Sequence, residues 1–305
     1  MDTDAREREQ AEAFVEEAAG RAAPAWHDEE GERARAEAAR EDAELARHEL
    51  LGGGLDPERL DAIAEERSKA RRERADDQRR RAIDASREVA RRLAEVTPTM
   101  VLPDDPMNVI IDRVTFIRSF AGGGTVVDSQ VGSLDSWARY RLSESADSIR
   151  ETGTGRLSFF TLWRNPRTQP VVMTAGARLV VNAHLSVDAE WSGVASWFFP
   201  TTEARATVRA RTTVWSMDSS IRSIVHDRIL TSAGTTGGFF GSDDSRSIAF
   251  NEFLPATGVS VPAQASMLIE VELLTEWVAM NGSVHLDAEG GAFRVEVPHL
   301  ILTLT

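Results

Sequence analysis

The chain contains no cysteine. Disulfides, thiolate zinc sites and a cysteine nucleophile are therefore excluded. It has one lysine, Lys69, so its positive charge is carried almost wholly by arginine. No apolar run approaches the roughly 18 residues that a membrane helix needs. The opening residues, Met-Asp-Thr-Asp-Ala-Arg-Glu, show no basic stretch followed by an apolar one. No secretory signal is expected from them. The expected setting is cytoplasmic, or within a particle released without such a signal.

Local catalytic signatures are missing as well. The six histidines, His27, His48, His184, His226, His285 and His299, are scattered. They form no HExxH pair, and no G-x-S-x-G segment occurs. The chain therefore reads as a non-enzyme, with no cofactor beyond a divalent cation.

What is present divides into two textures. The chain has 305 residues and a net charge of -14, from 35 basic and 49 acidic residues. Such a balance disfavours generic nucleic-acid binding. Residues 1–98 are rich in Ala, Glu and Arg, which favours helix. Gly20 and Pro24 end a first segment, and Gly52-Gly53-Gly54 ends a second. Asp56-Pro57-Glu58 then restarts a helix, with Asp56 as N-cap and Pro57 in its first turn. That helix is expected to reach Glu95 or Val96, before Thr97-Pro98.

The apolar stripe of this third is thin, and no heptad is sustained. Residues 1–66 carry 21 acidic against 8 basic residues, and residues 67–92 carry 11 basic against 5 acidic. The preferred reading is a charged helical hairpin folded at Gly52–Gly54, serving as a stalk or oligomerisation arm. In it the basic stretch Arg71-Arg72, Arg74 and Arg79-Arg80-Arg81 lies against the acidic one.

Residues 99–305 change to a period of two. Strands are expected near Asn108–Arg118, Thr125–Val131, Ser136–Leu142, Arg156–Trp163, Pro170–Ala175, Ala177–Trp191, Ala204–Met217, Ser247–Leu254, Met267–Ala279, Ser283–Ala288 and Ala292–Leu304. Ser219–Leu230 fits helix and strand alike. About ten short strands without a βαβ rhythm predict an antiparallel sandwich, jelly-roll-like in outline. The whole is thus α+β by segregation.

Two strand pairings are expected. Asn281-Gly282 reads as a two-residue hairpin turn. It would set Ala279 opposite Val284 and Glu276 opposite Asp287. Met267, Ile269, Val271, Leu273, Thr275, Trp277 and Ala279 would face the core. Glu270, Glu272 and Glu276 would face solvent or an interface. Pro298 cannot donate to a ladder, so an interruption is expected there, with Leu300, Leu302 and Leu304 resuming in opposite parity. In the second pairing, His184, Ser186, Asp188 and Glu190 share one face and meet Arg205, Arg209 and Arg211 of the next strand.

Candidate contacts follow. Trp191, Trp197, Phe198 and Phe199 form an aromatic group suited to plugging one end of the sandwich, to a subunit contact or to stacking on a sugar. Phe239 and Phe240 sit between glycines in a long loop, suited to burial in the sheet, in a neighbour or at a membrane surface. Glu276 with Asp287 is the candidate divalent-cation site. The functional expectation is a structural, assembly or adhesion protein that self-associates. The alternatives are a carbohydrate-binding, lectin-like module and, third, a membrane-interacting protein using Phe239-Phe240. A glycan or another protein is the expected outside partner. Nucleic acid and membrane are disfavoured as partners.

Overall fold

A computed structural model of the chain describes residues 3–21, 52–54, 56–95, 108–120, 124–146, 150–189, 202–217, 222–236, 242–255 and 258–305. Among the described residues, two helices come first, α1 (Thr3–Arg21) and α2 (Pro57–Glu95). The strands follow in chain order: β1 (Asn108–Ile111), β2 (Phe116–Phe120), β3 (Gly124–Gln130), β4 (Trp137–Ala146), β5 (Glu151–Arg164), β6 (Val171–Ala189), β7 (Glu203–Ser216), β8 (Arg222–Thr236), β9 (Ser242–Pro255), β10 (Val259–Val261), β11 (Ser266–Met280), β12 (Gly282–Ala288), β13 (Arg294–Glu296) and β14 (Leu300–Leu304). Of the stretch that fitted helix and strand alike, the described part, 222–230, belongs to strand β8.

The strands form an antiparallel β-sandwich. One sheet has five strands in the order β2-β5-β11-β7-β8. The other has nine, arranged around the long β6. One edge of β6 pairs with β14, β13 and β12 in succession, and the other with β10 and β9. β4 lies beyond β12 and β13 and carries β3 outside it, while β1 flanks β14. The final strands thus fill one lane, broken by the turn at 289–293 and again at Pro298. Val295 and Val297 are buried before that break, and Leu300, Leu302 and Leu304 after it. The expected change of parity is present.

Between the sheets lies one hydrophobic core. The alternating set Met267, Ile269, Val271, Leu273, Trp277 and Ala279 of β11 faces it, as do Leu185 and Val187 of β6 and Val284 and Leu286 of β12.

Several expectations are corrected. Asn281-Gly282 is not a hairpin turn. β11 is already paired on both edges, with β5 and β7, and β12 on both of its own, with β4 and β6. The chain instead crosses from one sheet to the other. Asn281 has φ of 45°, the left-handed region that asparagine tolerates. Gly282 is required by crowding, since a Cβ there would lie 2.6 Å from the Asp188 carbonyl oxygen. Nor does β6 pair with β7. The arginine face of β7 meets the glutamates of β11: Arg211 contacts Glu272 at 3.1 Å and Arg209 contacts Glu276 at 2.9 Å.

The outer face of β11 is open to solvent only in part, at the exposed Glu276. Glu270 and Glu272 are fully buried. Both carboxylates accept from Arg156, at 2.7 and 2.8 Å. Glu270 also accepts from the Ser158 hydroxyl at 2.7 Å and the Trp215 indole N–H at 2.9 Å. Beside them Phe116, Phe160, Trp215 and Leu268 form a second apolar cluster. α1 covers it with Ala11, Phe14 and Val15, and Glu12 pairs with Arg118 at 2.5 Å. These arginine, serine and indole partners cover the two carboxylates, and α1 packs on the adjoining Trp215, none of which strand alternation alone reveals.

The described helices of the expected arm lie on the sheets. α1 lies on the five-stranded sheet, whereas α2 lies across β6 and β9 of the nine-stranded one. The hairpin expected at Gly52–Gly54 involves a segment, 22–51, that lies outside the described residues. Two arginines of the basic stretch of α2 meet aspartates of the sheet. Arg71 reaches Asp188 at 3.0 Å, and Arg79 reaches Asp287 at 2.8 Å. Asp56 does cap α2, accepting from the Glu58 and Arg59 amides at 3.2 and 3.4 Å. No helix among the described residues is long and apolar enough to cross a membrane.

Candidate functional site

Strand alternation puts a polar stripe on the outer face of the nine-stranded sheet. His184, Ser186 and Asp188 project from β6, Ser283, His285 and Asp287 from β12, and Arg141 and Ser143 from β4. Register aligns them in rows. Ser186 lies opposite His285, which lies opposite Ser143. On the far side of β6, Ser245 of β9 is opposite Ser186, and Asp243 is opposite Asp188.

α2 runs over this stripe and turns it into a cavity of about 660 Å³. That lies within the range of roughly 300–1,000 Å³ usual for small-ligand sites. The helix is fastened firmly at its C-terminal half. Asn182 Nδ2 donates to the Ser86 and Ala292 carbonyls at 3.0 and 3.2 Å, and Asn251 Nδ2 donates to the Leu93 carbonyl. Ser86 Oγ accepts from the Ala292 amide at 2.8 Å. The glycine turn lets α2 approach: a Cβ on Gly290 would lie 2.8 Å from Ile83, and one on Gly291 2.7 Å from Ser86 Oγ. Gly291 also has φ of 59°. Toward its N-terminus the helix spans the cavity on the two ion pairs of Arg71 and Arg79, with Ser245 Oγ donating to Gln78 at 3.2 Å.

Inside, the lining is polar and finely placed. The His285 ring nitrogen Nδ1 is 2.9 Å from Ser143 Oγ. His184 is 5% exposed, and its Nδ1 has no hydrogen-bond partner among the described residues. Burial pushes the His184 pKa down, with Asp287 opposing and Arg79 reinforcing that shift. The His285 pKa is also lowered, by the surrounding protein and by Arg79, although the side chain reaches solvent at the cavity mouth. Asp287 Oδ2 accepts from Arg79 Nε, and Oδ1 accepts from the Glu289 and Gly290 amides at 2.9 and 3.0 Å. Those amides fix the turn that α2 sits on.

The residues singled out from sequence do not meet here as expected. Glu276 and Asp287 sit in different sheets. Each is held by its own arginine, and Glu276 is not part of the cavity. The expected cation site is therefore not formed. No group of three or more acidic or histidine side chains suited to a metal occurs among the described residues. Trp191, Trp197, Phe198, Phe199, Phe239 and Phe240 lie outside the described residues.

Sequence reasoning recognised the face of His184, Ser186 and Asp188 but set it against β7. It missed His285 and Ser143 as site residues. Their parity on β12 and β4 was the available signal, and it points to a shared face only once β12 is known to lie between β4 and β6.

No protein-family model matches the chain. No curated protein matches it either. Distant likeness to solved structures exists. TmCBM61 in complex with beta-1,4-galactotriose is 11% identical, covering 57% of this chain and 90% of that one, with a TM-score of 0.19. A structure of carbohydrate-binding modules from the beta-sandwich superfamily is 11% identical over 59% of this chain and 54% of its own, also with a TM-score of 0.19. A CocE/NonD family hydrolase from Staphylococcus aureus is 11% identical over 51% and 33%, with a TM-score of 0.21. At such TM-scores none of these assigns the chain to a family or lends it a function.

Proposed function

We propose that the chain is a non-enzymatic binding protein whose sandwich recognises a polyhydroxylated ligand, a saccharide, in the cavity beneath α2. The observation that carries this reading is His184, a buried residue of the cavity wall whose Nδ1 has no hydrogen-bond partner among the described residues. A buried polar atom left unpaired costs about 1–3 kcal/mol. A ligand hydroxyl removes that cost with either imidazole tautomer, because it both donates and accepts. Ser143, Ser186, Ser245 and Ser283 add hydroxyls around it, and Asp188 adds a carboxylate acceptor. The platform is rigid sheet on one side and a helix anchored by Asn182 and Asn251 on the other.

Screening a glycan array with the full chain and with Ser186→Ala tests the proposal. Selective retention of a saccharide that falls at least about tenfold in the variant, one lost multi-bond contact, supports it. A blank array, or binding indifferent to Ser186, would sink it.

Self-association is a second reading, favoured by one feature. Ile110, Val131 and Leu134 are all exposed, and the Leu134 amide donates to the Asp112 carbonyl, which draws them to one end of the sandwich. Light scattering at micromolar concentration decides it, a monomer removing the idea.

A further inference from the structure

Charge in the cavity is unevenly matched. Five aspartates line it, against three arginines. Most of the five are occupied. Asp287 holds Arg79, Asp188 holds Arg71 from behind the cavity wall, and Asp244 holds Arg246 at 2.5 Å. Arg141 is drawn away to Glu289 at 3.2 Å. The carboxylates of Asp76, on α2, and Asp243, on β9, meet no cation among the described residues.

Asp243 is moreover placed directly opposite Asp188 in the sheet. Like charges in that position oppose each other and destabilise the pair. Arg71 lies on the Asp188 side, where Nη1 also donates to the Ala189 carbonyl at 3.1 Å. Asp243 is left as the uncompensated member, at the cavity rim. A cation placed there would lower the energy of both the row and the site.

The neighbours of these carboxylates narrow the choice of cation. A bare divalent ion needs six or more oxygen ligands closely grouped. No such acidic or histidine group exists among the described residues. The same cavity is also lined by serine side chains, Ser245 two residues along β9 from Asp243, and by His184, four residues along β6 from Asp188. That lining suits a molecule with several hydroxyls and one ammonium group.

We propose that the ligand is an aminosugar saccharide, bound with its ammonium group on Asp243 and Asp76 and its hydroxyls on His184 and the serines. This rests on the saccharide reading above and names the sugar class. It further predicts that replacing the amine by an acetamide or a hydroxyl removes the ionic contact while leaving the hydroxyl contacts in place.

The test is calorimetric titration of the full chain, at neutral pH and low salt, with three β-1,4-linked disaccharides. These are di-glucosamine, its di-N-acetyl form, and cellobiose. Di-glucosamine is expected to bind about tenfold tighter than the other two, the worth of one charge-assisted contact. The advantage should shrink with added salt. Asp243→Asn should abolish it.

Equal affinity for all three would overturn the aminosugar inference and leave the saccharide reading intact. So would an advantage that survives in Asp243→Asn. Calcium chloride that binds alone and displaces di-glucosamine would also overturn it, assigning the carboxylates to a metal. If none of the three binds while the glycan array retains another saccharide, only the aminosugar inference fails. If neither assay shows binding, both readings fail.

Discussion

Glu270→Gln is the sharpest test of how the five-stranded sheet is covered. The wild-type carboxylate is fully buried and accepts from three groups, Arg156, Ser158 and Trp215. The amide keeps the shape but offers one acceptor oxygen. Its NH2 must then face either the Trp215 indole N–H or the Arg156–Ser158 donors, so a donor meets a donor. Arg156 keeps Glu272 at 2.8 Å but loses half of its compensating charge. Burial by itself disfavours the charged guanidinium, and the two glutamates together reverse that and raise its pKa. Removing one partner from a buried ion pair costs about 3–5 kcal/mol. Because the amide retains one acceptor, the lower end, about 3 kcal/mol, is expected. For a domain of this size that corresponds to a fall of about 6–12 °C in Tm.

Glu276→Gln is the control. Its side chain is 47% exposed on the same strand face, so its loss should stay within about 0.5 kcal/mol. Thermal unfolding followed by circular dichroism reads both variants. If Glu270→Gln shifts Tm no more than Glu276→Gln does, the Glu270 carboxylate is solvated and the reasoning is refuted.

Two further outcomes are expected. The lowered pKa of buried His184 means that the unfolded chain binds the proton more readily than the folded one, so stability present at neutral pH is lost as pH falls below about 6.5. His184→Gln should flatten that part of the Tm–pH curve, and a curve unchanged by the substitution would refute the assignment. Gly282→Ala should destabilise by about 1–3 kcal/mol in urea unfolding, because its Cβ meets the Asp188 carbonyl oxygen rather than open space. A neutral result would mean the sheet-to-sheet crossing is looser than described.

Much of the architecture was readable before any coordinates. The core face of β11 follows from the alternation of Met267 to Ala279, because side-chain direction in a strand is fixed by the backbone two residues at a time. The Asp56 cap and the break at Pro298 are equally local, since each turns on the hydrogen bonds of one or two residues. The polar stripe of His184, Ser186 and Asp188 was visible for the same reason.

Tertiary structure alone decided the neighbours. Asn281-Gly282 announces a turn, but whether the next strand folds back or crosses over depends on which strand edges remain open. β5 and β7 had taken both edges of β11. The fate of Glu270 and Glu272 was equally hidden, because a period-two pattern marks them as outward and says nothing of the arginines and the indole that meet them there. The cavity follows the same logic: its histidines lie about a hundred residues apart in sequence and adjoin because β12 lies beside β6. Local geometry settles which way a side chain points. What it meets there is set by long-range pairing, which sequence periodicity does not encode.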